Sequence, residues 1–135
     1  MTDRPIKDYR MVLAQTIAPE QTLAEADKAM RENHIRHLPV MDGDKLVGLV
    51  SQTDLHLVEN LDNVEPDMVR IGSVMSPLPY AVPPETPLGE VVAVMADSRY
   101  GSAMVVDDGT LVGIFTATDA VQVLANLLAG GNKKA

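Results

Sequence analysis

The chain has no cysteine and no tryptophan, and aromatic residues make up only 3% of it. Without a thiol there is no disulfide framework, no cysteine nucleophile and no thiolate metal site, and a reducing cytoplasm is the expected compartment. With one Phe and three Tyr, the core must be built from aliphatic side chains and from Met, which fills irregular gaps. Basic residues are also scarce: eleven Lys and Arg against nineteen Asp and Glu leave a net charge of -8, spread over both halves. Such a field repels nucleic acid and anionic membrane, so neither is an expected partner. A small anion is accommodated only where a few basic side chains reverse the local potential, and Arg36, His37 and Arg99 are the candidates. No apolar run approaches the roughly 18 residues of a membrane span, and the opening residues lack a leader's apolar stretch, so a soluble intracellular protein is expected.

Catalytic patterns are missing too. There is no nucleophile elbow, no credible carboxylate pair and no dinucleotide fingerprint, and three scattered His supply no base, so no enzyme is expected. Gly43 to Gly48 has the glycine spacing of a phosphate loop, but Leu49 stands where the lysine belongs, and the segment reads as a hairpin turn. His34 and His37 are three residues apart at a helix end, a spacing that reads as solvated or structural; no metal site is expected.

What the chain does have is an internal repeat. A gapless shift of 65 residues lays Pro19-Glu20 on Pro84-Glu85, Leu23 on Leu88, Met30 on Met95, Val40 on Val105, Leu46-Val47-Gly48 on Leu111-Val112-Gly113, and Thr53-Asp54 on Thr118-Asp119. Thirteen of the forty positions from Pro19 to Val58 are identical, which marks a duplicated structural unit. A copy of this size buries too little apolar surface to stand comfortably alone, so the two are expected to pack together around a shared core with pseudo-twofold symmetry.

Within a copy the patterning is legible. Thr16-Ile17-Ala18 is a short strand candidate. Thr22-Leu23-Ala24-Glu25 has the form of a capping box, with Leu23, Ala26 and Met30 at helical spacing behind it; Leu88, Val91, Val92 and Met95 repeat the stripe. Residues 37–41 and 46–50 form a predicted hairpin around Asp42-Gly43-Asp44-Lys45, repeated at Ala103 to Phe115, and second helices are predicted to begin near Asp54 and Asp119. Each repeat thus reads strand, helix, strand, strand, helix, an α/β arrangement. The divisions are 6–59 for the first copy, 60–70 for an acidic linker, 71–125 for the second copy, and 126–135 for a helix end with a tail that frays from Gly130 onward.

Two such β-α-β-β-α units, with Gly48-Leu-Val-Ser-Gln-Thr-Asp54 and Gly113-Ile-Phe-Thr-Ala-Thr-Asp119, resemble a cystathionine β-synthase (CBS) domain pair, also called a Bateman module. Val74-Met75-Ser76-Pro77 and Val82-Pro83-Pro84 resemble the family's opening segment, whereas Arg10-Met11 makes the first copy's opening atypical. The resemblance implies a stand-alone regulatory module that binds AMP, ADP, ATP or S-adenosylmethionine. The motif is intelligible physically: a hydroxyl can donate to phosphate, Asp can accept from ribose hydroxyls, and the helix start presents free amides to an anion. Carried over, one site joins Thr116 and Asp119 to Thr16, Ile35, Arg36 and His37. The other joins Ser51 and Asp54 to Ala81, Tyr100, Gly101 and Ser102, with Arg99 nearby. Because Arg36-His37 stands against Gly101-Ser102, the first is expected to be the stronger site for a phosphorylated ligand.

Two plainer readings stand beside this one. Ser/Thr-x-x-Asp at a helix start is also an ordinary cap, and Arg36 an ordinary surface cation. The alternative function, second to the sensor, is a ligand-independent dimerisation or protein-interaction module. Under either reading a homodimer is expected, because Val121, Val123, Leu124, Leu127 and Leu128 make the last helix more apolar than one buried face needs, and an unidentified protein would be the one regulated.

Overall fold

A computed structural model of the chain describes residues 3–9, 15–77 and 79–133. It divides into two compact units, residues 14–79 and residues 1–13 with 80–135. Arg10 and Met11, the atypical opening pair, lie outside the described residues.

In the unit of residues 14–79, α1 (Leu23–Asn33) begins at the predicted capping box: Thr22 Oγ1 accepts the Glu25 amide, and Glu25 accepts the Thr22 amide. Leu23, Ala26 and Met30 are buried along one face. The hairpin follows as β1 (His37–Asp42) and β2 (Lys45–Ser51), with the loop tightened to Gly43-Asp44 and Gly43 at φ 64°. Then come α2 (Gln52–Glu59), a 3-10 turn (Ile71–Ser73) and β3 (Ser76–Pro77), which pairs antiparallel with β2. The predicted strand at Thr16 to Ala18 is reduced to one parallel bridge from Ile17 to Val40. Leu23, Ala26, Met30, Leu38, Val40, Val50, Leu55 and Ile71 form the buried cluster with Ile17.

The other unit repeats this plan. Its sheet runs β4 (Ala81–Val82), β5 (Ser102–Asp107), β6 (Thr110–Thr116), with β4 parallel and β6 antiparallel to β5. α3 (Leu88–Ser98) and α4 (Ala117–Lys133) complete it. Val82↔Val105 is the counterpart of Ile17↔Val40, and both hairpins bulge at the same place, after Val40 and after Val105. Ile6, Val82, Leu88, Val91, Met95, Ala103, Val105 and Phe115 make up its cluster. Among the described residues, each unit has its own cluster of buried side chains. α4 continues through Gly130 to Lys133, where a frayed tail was predicted; a helical glycine costs about 1 kcal/mol relative to alanine, so this end is the least secure part of the helix. Among the described residues no helix is long and apolar enough to cross a membrane.

The units do not follow the order of the repeat. Each opening segment packs on the other copy's helix entry, in equivalent bonds. The Ile6 and Lys7 amides donate to Thr86 and Pro84 carbonyls at 2.8 and 3.1 Å, and the Ile71 and Gly72 amides to Gln21 and Pro19 at 2.8 and 2.9 Å. Leu88 donates to Arg4 as Leu23 donates to Val69, satisfying first-turn amides that a helix leaves open. The linker is thus held at its far end: Pro66 and Val69 accept from Ala24 and Leu23.

Candidate functional site

The duplicated hydroxyl and carboxylate sit where a strand becomes a helix. Ser51 closes β2 and caps α2, its Oγ accepting the Asp54 amide at 3.1 Å while Asp54 Oδ2 accepts the Ser51 amide at 3.0 Å. In the second copy Thr116 Oγ1 accepts the Asp119 amide at 3.3 Å, and Asp119 Oδ2 accepts the Thr116 amide at 2.8 Å. The plain capping role is therefore fully present in both copies. Each backbone bond engages one carboxylate oxygen, Oδ2, and leaves Oδ1 outside the box. The two differ in one respect: the Thr116 hydroxyl also donates to Asp119 Oδ2 at 3.1 Å, whereas Ser51 Oγ only accepts.

The hairpins bring further candidates beside each cap. Antiparallel register sets His37 opposite Ser51, and the Gln52 amide donates to the Arg36 carbonyl at 2.8 Å, so Arg36, His37, Ser51 and Asp54 lie at one end of β1 and β2. Likewise Ser102 stands opposite Thr116, and the Ala117 amide donates to the Gly101 carbonyl at 2.9 Å. Ile35 is half-buried against the first cluster, Thr16 is exposed next to the Ile17 bridge, and Ala81 opens β4 opposite Met104. Arg99 is exposed in the left-handed C-cap position of α3, equivalent to His34 after α1. Tyr100 stacks on Tyr80, ring centroids 5.4 Å apart. Tyr80 was missed by sequence reasoning, although its place next to Ala81 in the second copy's opening segment was a usable signal.

Three side-chain environments set these residues apart. His37 is half-buried, and desolvation holds its imidazole below the usual range, opposed by the Asp54 carboxylate and reinforced by Arg36. Near neutral pH it is an uncharged donor and acceptor, leaving Arg36 as the positive charge at that end, opposite in sign to the Asp54 carboxylate. Ser102 is 3% exposed and, among the described residues, its Oγ has no hydrogen-bond partner; an unsatisfied buried hydroxyl costs about 1–3 kcal/mol. Alternation along β5 puts Ser102 and Met104 on the face opposite Ala103 and Val105, away from the unit's own cluster. Burial also raises the Tyr80 phenol above its ordinary pKa.

Relatives and solved structures carry the same plan. MJ1232 of Methanocaldococcus jannaschii is 32% identical over 111 residues, covering 82% of this chain and 36% of that protein. Inosine-5'-monophosphate dehydrogenase of Korarchaeum cryptofilum is 35% identical over 105 residues, covering 77% of this chain and 21% of the enzyme. The chain thus spans about a third and about a fifth of these relatives' lengths. Among solved structures, AcuB of Vibrio cholerae superposes with a TM-score of 0.83 at 30% identity, over 96% of both chains. CBSX2 in complex with AMP superposes with a TM-score of 0.76 at 25% identity, over 92% of this chain and 98% of that one. The CBS domain family model matches residues 1–58 and again residues 71–126, the two copies of the repeat, and the chain belongs to the CBS domain family.

Proposed function

We propose that this protein is a non-catalytic regulatory module that binds adenosine ligands and passes their occupancy to a separate protein in a reducing cytoplasm. The observation that carries the reading is the duplicated cap, in which Asp54 and Asp119 each retain a carboxylate oxygen beside a hydroxyl and a helix start. The likeness to CBSX2, solved with AMP, supports the ligand class. Thr116 and Asp119 are the residues proposed to carry the stronger, phosphate-accepting binding. Ser51 and Asp54 carry the weaker binding; in the other unit the unpartnered Ser102 hydroxyl offers a bond to a polar ligand atom and Tyr100 a ring face. Regulation requires that ligand favour one state of the module over another.

Thermal-shift titration with AMP, ADP, ATP and S-adenosylmethionine tests this. A ligand at 100 times its Kd stabilises by about 2.7 kcal/mol, and Asp119→Ala is expected to remove most of the AMP shift, with Asp54→Ala and Ser102→Ala removing less. No shift with any ligand overturns the sensor reading and leaves the ligand-independent dimerisation module. That second reading has its own support, because Val121, Leu124, Leu127 and Leu128 of α4 are all exposed.

A further inference from the structure

Asp27 on α1 and His56 and Glu59 on α2 bring one ligand atom each to within 4.8 Å of one another. We propose that this triad is a binding site for a first-row divalent cation of the Zn(II) type, separate from the adenosine motif.

The placement follows from packing. On α1, Ala26 and Met30 are buried; on α2, Leu55 is buried and Val58 packs against the same cluster. The helices are therefore fixed in rotation, and the residues next to those anchors share the rim between them. His56 and Glu59 are three apart on α2 and so project from one face of it, toward the helix that carries Asp27. Like charges gather there: Asp27 and Glu59 are both only partly exposed. Arg31 Nε pairs with Asp27 Oδ2 at 3.3 Å, and among the described residues no ion pair or hydrogen bond joins His56 to either carboxylate. The three donors are assembled without satisfying one another.

The spacing suits a cation. An ion at the centre of three atoms no more than 4.8 Å apart stands at most about 2.8 Å from each, so small side-chain rotations reach the roughly 2.0–2.2 Å of Zn–N and Zn–O bonds. One imidazole with two carboxylates favours Zn(II), Co(II) or Ni(II) over Mg(II), which prefers oxygen donors and retains its waters. Three protein ligands leave water to complete the shell. Bound there, the ion ties α1 to the helix that Ser51 and Asp54 begin. Sequence reasoning missed the site because Asp27 is 29 residues from His56, while the pair that caught the eye, His34 and His37, is not part of it.

The experiment uses the full chain free of nucleotide. Co(II) is titrated and its visible d–d absorption followed, then Zn(II) is added in competition, and the thermal midpoint is read with and without Zn(II). One equivalent of Co(II) with a saturable spectrum, displaced by Zn(II), is expected. Because losing even an outer-shell partner of a metal ligand costs 10–100-fold in affinity, His56→Ala and Glu59→Gln should each weaken binding by about tenfold or more, while His34→Ala should not. His56 is exposed, so its replacement should leave the metal-free thermal midpoint unchanged and remove only the Zn(II)-induced rise. Absence of a saturable Co(II) spectrum, or binding lost in His34→Ala and retained in His56→Ala and Glu59→Gln, overturns the proposal.

Discussion

His37 stands beside both a cation and a carboxylate, yet burial decides its charge. With its folded pKa held below the usual 6.5, the unfolded chain takes up the proton first as pH falls, so stability tied to this residue is complete above about 6.5 and is lost between there and the folded value. Denaturation midpoints measured from pH 7.5 down to 5 should fall, and His37→Asn should flatten part of that slope; an unchanged slope would remove His37 as its source. At neutral pH the positive charge at this end therefore rests on Arg36. Sequence alone showed which residues could carry charge but not which of them does, because that depends on desolvation, a property of the folded neighbourhood. The same holds for Ser102, which looked merely uncharged and is in fact a buried hydroxyl without a partner.

At the scale of elements, local chemistry was decisive where partners are close in sequence. The Thr22-Glu25 box, the apolar stripes of α1 and α3, and the two hairpins form as their patterns predict. β3 was not legible, since its pairing with β2 is a contact between residues far apart in the chain. The contact explains Gly48: a Cβ there would lie 2.5 Å from Met75 Sδ and 2.9 Å from the Ser76 carbonyl oxygen. Met75 can swing away but the β3 backbone cannot, so Gly48→Ala should cost about 1–3 kcal/mol in urea denaturation. Gly43→Ala also costs stability, but through its positive φ rather than crowding. An Ala at 48 that left the midpoint unmoved would show that β3 is not held there.

For the whole molecule, α4 is the element whose surface exceeds what one chain covers. Ala120 and Val123 pack on their own unit's cluster, while Val121, Leu124, Leu127 and Leu128 are 43–68% exposed. Burying such side chains in a second copy gains about 1.5–3 kcal/mol each. Sedimentation of the wild type is expected to report a dimer, and Leu124→Glu with Leu127→Glu a monomer of unchanged helicity; a wild-type monomer at all concentrations would leave that face to another partner. The duplication, the order of elements and the motif residues were determined by sequence alone, because they rest on periodicity, caps and turns that act over a few residues. Tertiary structure alone decided that the opening segments are exchanged, Ile6 joining the second copy's cluster and Ile71 the first's. It also decided that Asp27 meets His56 and Glu59. Both are encounters between distant residues, and no local preference encodes them: they are settled by which apolar faces find cover and which backbone amides find carbonyls.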